Sequence, residues 1–421
     1  MYQSLKKSLY FFVAGYFRFF ASIRLSLWKP RIIVITGSSG KTTLLHLIES
    51  QLGDKARYTH EANSSFGIPF DILNLHRKNL LLYEWPLLIF LAPVKVFSKL
   101  PKEELYIVEA DCDRPHEGKF LSEFLKPEVT LWTNVSRTHS MNFEGEVKKG
   151  RFKIVDEAIA YEFGYYARNT KNLVIIGDSS KNLENQLSRV KCTIENISSK
   201  NNKVEYSVDV DGCIFVIDDK RYSFNYLLPK KTSTLILTCR LLMDYLGERL
   251  DAKFRNFKLA PGRSSVFTGI QNTTLIDSSY NANLDSMTEI IEMFSKIEAK
   301  EKWVVLGDMI EQGTWEEEEH KKLAEVVLKH NFQKVILMGP RVSKYTKPVL
   351  LENNINIVSF VSPKEVLSYL ENNIKGGEVI LFKGARFLEG VIEHLLKNKE
   401  DVKKLARRER VWQIRRERWG L

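Results

Sequence analysis

One stretch constrains the fold more than any other: RIIVITGSSGKTTLLHLIES, residues 31–50. Its apolar run Ile32–Ile35 reads as a strand buried on both faces, Gly37 and Gly40 punctuate a turn, and a helix opens at Lys41. The backbone N–H groups of such a turn, together with a helix N-terminus, cradle phosphate; a lysine reaches the outer phosphates and a following hydroxyl can hold Mg2+. Gly37, Ser38, Ser39, Gly40, Lys41, Thr42 and Thr43 are therefore the candidate nucleotide-binding residues, and Thr42 is a candidate metal ligand. The common GxxxxGK[ST] spacing would require glycine at position 35, where this chain has Ile35, so the loop is a shorter TGxxGKT form.

Strand-like runs continue to alternate with helical ones through ELYIVEAD, VTLWTNV and NLVIIGD, which indicates a parallel sheet covered on both faces. Between about 190 and 228 the pattern becomes alternating, with a turn at Asp211-Gly212, and reads as a small antiparallel insert. After the helical TSTLILTCRLLMDYLG, a second strand–helix alternation starts near PGRSSV. The expected class is α/β. A P-loop central ATPase domain occupies 31–255, mostly parallel with the antiparallel insert, and a C-terminal Rossmann-like domain occupies 256–396. An apolar or amphipathic N-terminal helix (1–30) and a basic tail (397–421) flank them.

Composition narrows the function classes. The formal charge is +11, but Lys397–Arg418 holds ten basic and four acidic residues, so the tail supplies +6 of it. That run can meet nucleic acid, anionic lipid or an acidic partner, or be a solvated helix; no specific nucleic-acid site is indicated. Cys112, Cys192, Cys213 and Cys239 form no CxxC pair, so neither zinc nor a disulfide framework is indicated, and a reducing cytoplasm fits. Residues 8–28 are interrupted by Arg18 and Arg24, and the apolar run beginning at Leu80 by Glu84, Pro86 and Lys95. Neither reaches the roughly 18 uncharged residues of a spanning helix; both suit the surface of a membrane or burial against other elements.

Charged residues gather where strands end. Glu109 closes LYIVEAD, with Asp111 and Asp113 just beyond, and Ser136, Arg137 and His139 follow VTLWTNV. A carboxylate and an imidazole at neighbouring strand ends can bind a divalent ion between ATP and a substrate. Polar loop ends are also common without one, and no spacing rule ties these residues together.

The ordered series TGSSGKTT, NSSFGIP, VEADCDRP, TNVSRTHSMNFE, PGRSSV, LIDSSYNANLDSM, VLGDMIEQG and FKGAR resembles the Mur ligases over roughly residues 31–395. It looks most like the branch that joins D-alanyl-D-alanine to a UDP-muramoyl peptide, the MurF type. The resemblance implies ATP-dependent amide synthesis: a substrate carboxylate takes the γ-phosphoryl group, and an amine displaces phosphate from the acyl phosphate. It implies Lys41 and Thr42 at the β,γ-phosphates and a first Mg2+, Glu109 and His139 at a second Mg2+, and Asn134 near the nucleotide. It further implies a carbamylated lysine, best matched by Lys149 with Lys148 as competitor. Arg263 would approach the phosphates, Asp277 would accept from the ribose, and Tyr280 and Asn281 would lie beside the base. Asn63 and Lys383 would face substrate, Lys383 toward the amine substrate's carboxylate. Closure about residues 250–262 would complete the site.

Several positions depart from the family pattern. About thirty residues precede the P-loop where this branch carries a UDP-gripping domain; Thr232 and Ile236 replace a histidine and an asparagine; Ala385 replaces a hydroxyl; and 78–102 is an apolar insert. Two alternatives follow: a nucleotide-binding scaffold or regulatory subunit at the membrane surface, or a Mur-like ligase with another carboxylate acceptor.

Overall fold

The computed structural model describes residues 2–421 apart from Glu61, Asn79, Leu80 and Arg386, with side-chain surroundings from Leu9 onward. The chain divides into two compact units: 1–201 with 234–251 and 255–257, and 202–233 with 252–254 and 258–421.

The first unit opens with a long helix, α1 (Tyr2–Trp28), then β1 (Arg31–Thr36), α2 (Lys41–Leu52), β2 (Ala56–Tyr58), α3 (Gly67–Leu73), α4 (Trp85–Val96) and β3 (Leu105–Glu109). It continues through α5 (Glu117–Leu125), β4 (Val129–Trp132), α6 (Ser140–Lys148), α7 (Val155–Arg168), β5 (Leu173–Ile176), α8 (Lys181–Leu187) and β6 (Thr193–Asn196), and includes most of α9 (Thr232–Leu246). The sheet order is β2-β3-β1-β4-β5-β6, with parallel neighbours throughout. Buried on both faces, β1, β3, β4 and β5 are predominantly apolar. Ile32, Val34, Tyr106, Val108, Trp132, Val174 and Ile176 share one core with Phe17 and Ala21 of α1 and with α3, α5 and α7.

This order determines where chemistry can happen. β1 lies between β3 and β4, with Ile35 opposite Glu109 and Thr36 opposite Trp132, so the loops after these three strands emerge side by side. Carboxyl ends of central parallel strands are the ligand-binding edge of such a sheet.

The second unit starts with an antiparallel sheet of β7 (Val204–Asp209), β8 (Gly212–Ile217) and β9 (Lys220–Phe224). The insert expected from residue 190 therefore begins later. The run Thr193–Asn196 follows α8 and joins β5 in parallel, with Ile194 opposite Val174, so β6 extends the first sheet instead.

A mixed sheet follows: β10 (Ser265–Thr268), β11 (Thr274–Ser278), β12 (Lys302–Gly307), β13 (Lys334–Met338), β14 (Ile357–Phe360) and β15 (Val379–Lys383), in the order β10-β11-β15-β12-β13-β14. Only the β10–β11 pairing is antiparallel. Alternate residues serve opposite faces. Ile276, Val304, Leu306 and Leu381 pack toward α10 (Leu284–Ser295), α11 (Glu316–Leu328) and α12 (Lys347–Glu352). Leu275, Trp303, Val305, Ile380 and Phe382 pack toward α13 (Pro363–Asn373) and α14 (Leu388–Leu395).

The basic tail is folded onto its own unit. Arg407 and Arg408 pair with Glu389 and Glu393 of α14, and Leu405 and Ala406 are buried. Beyond them, α15 (Arg410–Glu417) places Trp412 against the Arg407 guanidinium. Local partners thus take up part of the charge that the sequence leaves available to nucleic acid or lipid.

Candidate active site

The P-loop is built from backbone as much as side chain. Gly37 has φ 124°, and a Cβ there would meet Thr133 Oγ1 at 2.3 Å and the Asn134 backbone at 2.8 Å, so only glycine fits. Gly40, φ 80°, turns the chain into α2. Asn134, at the end of β4, ties the loop down: its carbonyl accepts from Ser38 N (3.1 Å), its Oδ1 from Ser39 N (2.9 Å), and its Nδ2 donates to Ser39 Oγ (2.6 Å). Ser38 Oγ donates to Ser136 O at 2.9 Å. Thr43 is half-buried in the first turn of α2.

Lys41 is buried, donating to Gly37 O at 2.5 Å and pairing with Asp111 Oδ2 at 2.8 Å. Burial disfavours its charge, but Asp111 and Glu109 outweigh this and hold the ammonium pKa above its usual value. The reciprocal effect lowers Asp111: burial opposes ionisation, and Lys41 followed by His139 overcomes it. Thr42 Oγ1 donates to Glu109 Oε1 at 3.2 Å. Ligand atoms of Asp111, Asp113 and His139 lie within 4.8 Å of one another, with His139 Nε2 3.3 Å from Asp113 Oδ1. Asp113 is pushed up to about 6 by burial and by Asp111, against the pull of His139. A set of carboxylates with one imidazole and a nearby threonine hydroxyl is a hard, oxygen-rich donor set that suits Mg2+ or Mn2+.

Of the sequence-predicted metal ligands, His139 joins this trio, while Thr42 and Glu109 form a contact of their own. Asp111 and Asp113, singled out only as strand-end acids, are the missed members; the signal was their position directly after β3. Their loop is held from below by Glu117, which is buried: Oε1 accepts from Ser65 N (2.9 Å) and Ser65 Oγ (2.7 Å), and Oε2 from Asp113 N (3.0 Å). Asn63 also reaches this loop, its carbonyl accepting from Asp111 N at 2.8 Å.

The structure does not bring Lys149 to the trio. It caps the end of α6 opposite His139, about 15 Å along the helix axis at the usual rise, and its Nζ lies 3.1 Å from Glu146 Oε1. A carbamate there would face Glu146, a like charge. Lys148 is exposed and pairs with Glu144. A further trio, His46, Glu49 and His60, pairs internally, with His60 Nε2 3.0 Å from Glu49 Oε1.

In the second unit β11 and β15 are neighbours, Ser278 opposite Lys383, so their ends form one edge. Asp277 is buried; Oδ1 accepts from Ser279 N (3.0 Å) and Ser279 Oγ (2.6 Å), while Oδ2 has no hydrogen-bond partner among the described residues. Burial raises its pKa, with the Ser279 bonds in opposition. A buried acceptor left open is costly unless a ligand donor fills it. Arg263 lies over the Tyr280 ring at 4.8 Å. Lys383 is buried, donates to Asn281 O at 2.5 Å, and is lowered to about 7 by burial and by Arg263, against Glu289 and Asp277. Arg386 of FKGAR lies outside the described residues. Thr232 and Ile236, at the departures from the family pattern, are buried in α9.

A glycine turn and helix start at the switch point of one parallel sheet, the Asp111–Asp113–His139 trio beside it, and a Rossmann-like unit with an open strand-end carboxylate fit an ATP-using ligase fold. Comparison with known proteins gives the family. The Mur ligase middle-domain model matches residues 35–229 and the Mur ligase glutamate-ligase-domain model residues 262–386. The chain belongs to the Mur ligase family. It is 26% identical over 375 residues to the UDP-N-acetylmuramoyl-tripeptide--D-alanyl-D-alanine ligase of Rickettsia prowazekii, covering 85% of this chain and 76% of the relative. The Bacillus subtilis enzyme of that name is 23% identical over 380 residues (87% and 76%). The MurF ligase of Thermotoga maritima, solved in complex with ADP, superposes with TM-score 0.72 at 20% identity, covering 93% of this chain and 84% of that one.

Proposed function

We propose that this chain is an ATP-dependent, ADP-forming ligase that makes an amide bond on a cell-wall precursor, with a UDP-muramoyl peptide carboxylate as acceptor and D-alanyl-D-alanine as amine donor. The acceptor oxygen attacks the γ-phosphorus, the bond to the β,γ-bridging oxygen breaks, and ADP leaves. The donor amine then adds to the acyl carbon, loses its proton, and expels inorganic phosphate.

The observation that carries this reading is Lys41, a buried ammonium held between the P-loop carbonyl of Gly37 and Asp111, beside the Asp111–Asp113–His139 trio. Lys41 meets the charge that builds on the transferring phosphoryl oxygens. Asp111, Asp113 and His139, with Thr42 and Glu109, would hold Mg2+, which supplies charge neutralisation at the phosphates. The open Oδ2 of Asp277 suits a ribose hydroxyl, and Arg263, Tyr280 and Asn281 line the same strand edge. Lys383 suits the carboxylate of the amine donor, which would draw a proton onto it. The reaction belongs in the cytoplasm, with peripheral contact at the inner membrane face.

The test is phosphate release from Mg-ATP by the wild type and Lys41→Ala, with and without UDP-muramoyl tripeptide plus D-alanyl-D-alanine, products being read by mass. Release that requires both substrates, accompanies a new amide mass and vanishes in Lys41→Ala is expected. Turnover with another carboxylate but not this one would replace the acceptor; ATP binding without turnover on any acceptor would leave a nucleotide-binding scaffold.

A further inference from the structure

Two apolar segments that are separate in sequence form one surface. On α1, Ala14, Phe17, Ala21 and Arg24 recur at three- and four-residue steps and face the core. Leu9, Phe12 and Phe19 project from the opposite side, Phe12 being 78% exposed. An exposed face of a helix is ordinarily polar. The same inversion holds for 82–97: Leu88, Ala92 and Val96 make a narrow buried stripe at i, i+4, i+8, and Leu82, Tyr83, Leu87, Ile89, Phe90, Val94 and Phe97 are exposed.

The two segments are fastened together. Tyr16 Oη donates to Ile89 O at 2.8 Å. Arg24, 2% exposed, caps α4 from the side: Nη1 donates to Lys95 O (2.6 Å), Ser98 O (3.0 Å) and Ser98 Oγ (2.8 Å), and Nη2 to Lys99 O (2.8 Å). The arginine that breaks the apolar run of α1 is thus the bolt between the two helices. Together the exposed side chains offer apolar surface on the order of 1,000 Å2, judged from the area of aromatic side chains, where monomeric proteins seldom leave more than a few hundred uncovered.

Charge selects the occupant. Residues 2–31 contain Lys6, Lys7, Arg18, Arg24, Lys29 and Arg31 and no acid, with Arg24 spent on the α4 carbonyls and Arg31 paired with Glu128; 76–102 contain Arg77, Lys78, Lys95, Lys99 and Lys102 with Glu84 alone, and Glu103 and Glu104 follow. Glu84 is engaged by the Lys78 and Leu81 backbone N–H groups and by Arg77. Aromatic and aliphatic side chains bordered by cations, on helices that lie flat, match the interface of an anionic bilayer. No helix among the described residues is long and apolar enough to cross a membrane. We infer that α1 and 82–97 form a single docking face for an anionic phospholipid surface, inserting Phe12, Leu87, Phe90 and Phe97 to headgroup depth. This deepens the peripheral contact in the proposed function by naming its surface, and it stands or falls apart from the reaction.

The test sediments the full chain with vesicles of phosphatidylglycerol mixed into phosphatidylcholine, and with phosphatidylcholine alone. Wild type is expected to pellet with the anionic vesicles, less so at about 1 M salt than at about 0.1 M. Phe12→Ser/Phe90→Ser/Phe97→Ser is expected to lower the bound fraction roughly tenfold while its thermal unfolding and nucleotide binding stay at wild-type values. Wild type remaining in the supernatant with both vesicle types, or a triple variant that binds as well as wild type, overturns the inference. So does a wild-type dimer, monomeric in the triple variant, that ignores vesicles, which would assign the face to a second copy.

Discussion

Lys41 joins stability to chemistry, because its ammonium neutralises a buried Asp111 before any phosphate arrives. Lys41→Ala should therefore remove ATP turnover and also cost roughly 3–5 kcal/mol, since it strands a buried carboxylate. Lys41→Met/Asp111→Asn should recover much of that stability in urea unfolding with no recovery of turnover; equal losses in single and double variants would contradict the pairing. Lys383 has the opposite character. Its folded pKa of about 7 lies below that of an unfolded lysine, so folding opposes its proton. The resulting destabilisation is full below about pH 7 and fades as pH rises through about 10.5, where the unfolded chain also loses the proton. The stability advantage of Lys383→Met over wild type should therefore be largest near neutrality and shrink with alkali. A constant difference from pH 7 to 10 would rule this out.

At the scale of elements, the loop from β3 to α5 carries Asp111 and Asp113, and Glu117 fastens it. Glu117→Gln puts an amide N–H where a backbone donor already points, so a loss of about 3 kcal/mol is expected. The Mg2+ needed for half-maximal turnover should rise roughly tenfold, as when a residue supporting a ligand is removed. An unchanged Mg2+ titration beside lower stability would leave Glu117 as packing only. This loop also shows where reading a sequence stops. The P-loop was legible because glycine geometry, lysine and helix start are all local. The trio was not, because His139 comes within reach of Asp111 only through the order β3-β1-β4. Arg24 read as an interruption of an apolar helix, since nothing near it in sequence reveals carbonyls of residues 95, 98 and 99 as its partners. Likewise the alternation of β7–β9 was plain, while their membership of the second unit depends on contacts such as Leu227 with the core around Met287.

For the molecule as a whole, the proposed reaction divides between the units. Lys41 and the acid trio lie in the first unit, where the proposal has them act on ATP and the acceptor carboxylate; Lys383, in the second, is assigned by it to the amine donor. The two half-reactions should then separate by mutation. With ATP, acceptor and hydroxylamine in place of the donor, the acyl phosphate is intercepted: the hydroxylamine nitrogen bonds to the acyl carbon, phosphate leaves, and a hydroxamate accumulates. Lys383→Ala should keep this hydroxamate formation within a few-fold of wild type, because hydroxylamine has no carboxylate to be held. Amide formation with D-alanyl-D-alanine should fall by at least about a hundredfold, the scale on which lost positioning of a reactant is felt, and chiefly through a higher KM for the donor. Lys41→Ala should lose both products together. If Lys383→Ala lost hydroxamate and amide in equal measure, Lys383 would belong to acyl phosphate formation and its assignment to the donor would be wrong; if it lost neither, the donor carboxylate would be held elsewhere on the β11–β15 edge, with Arg263 the next cation to substitute.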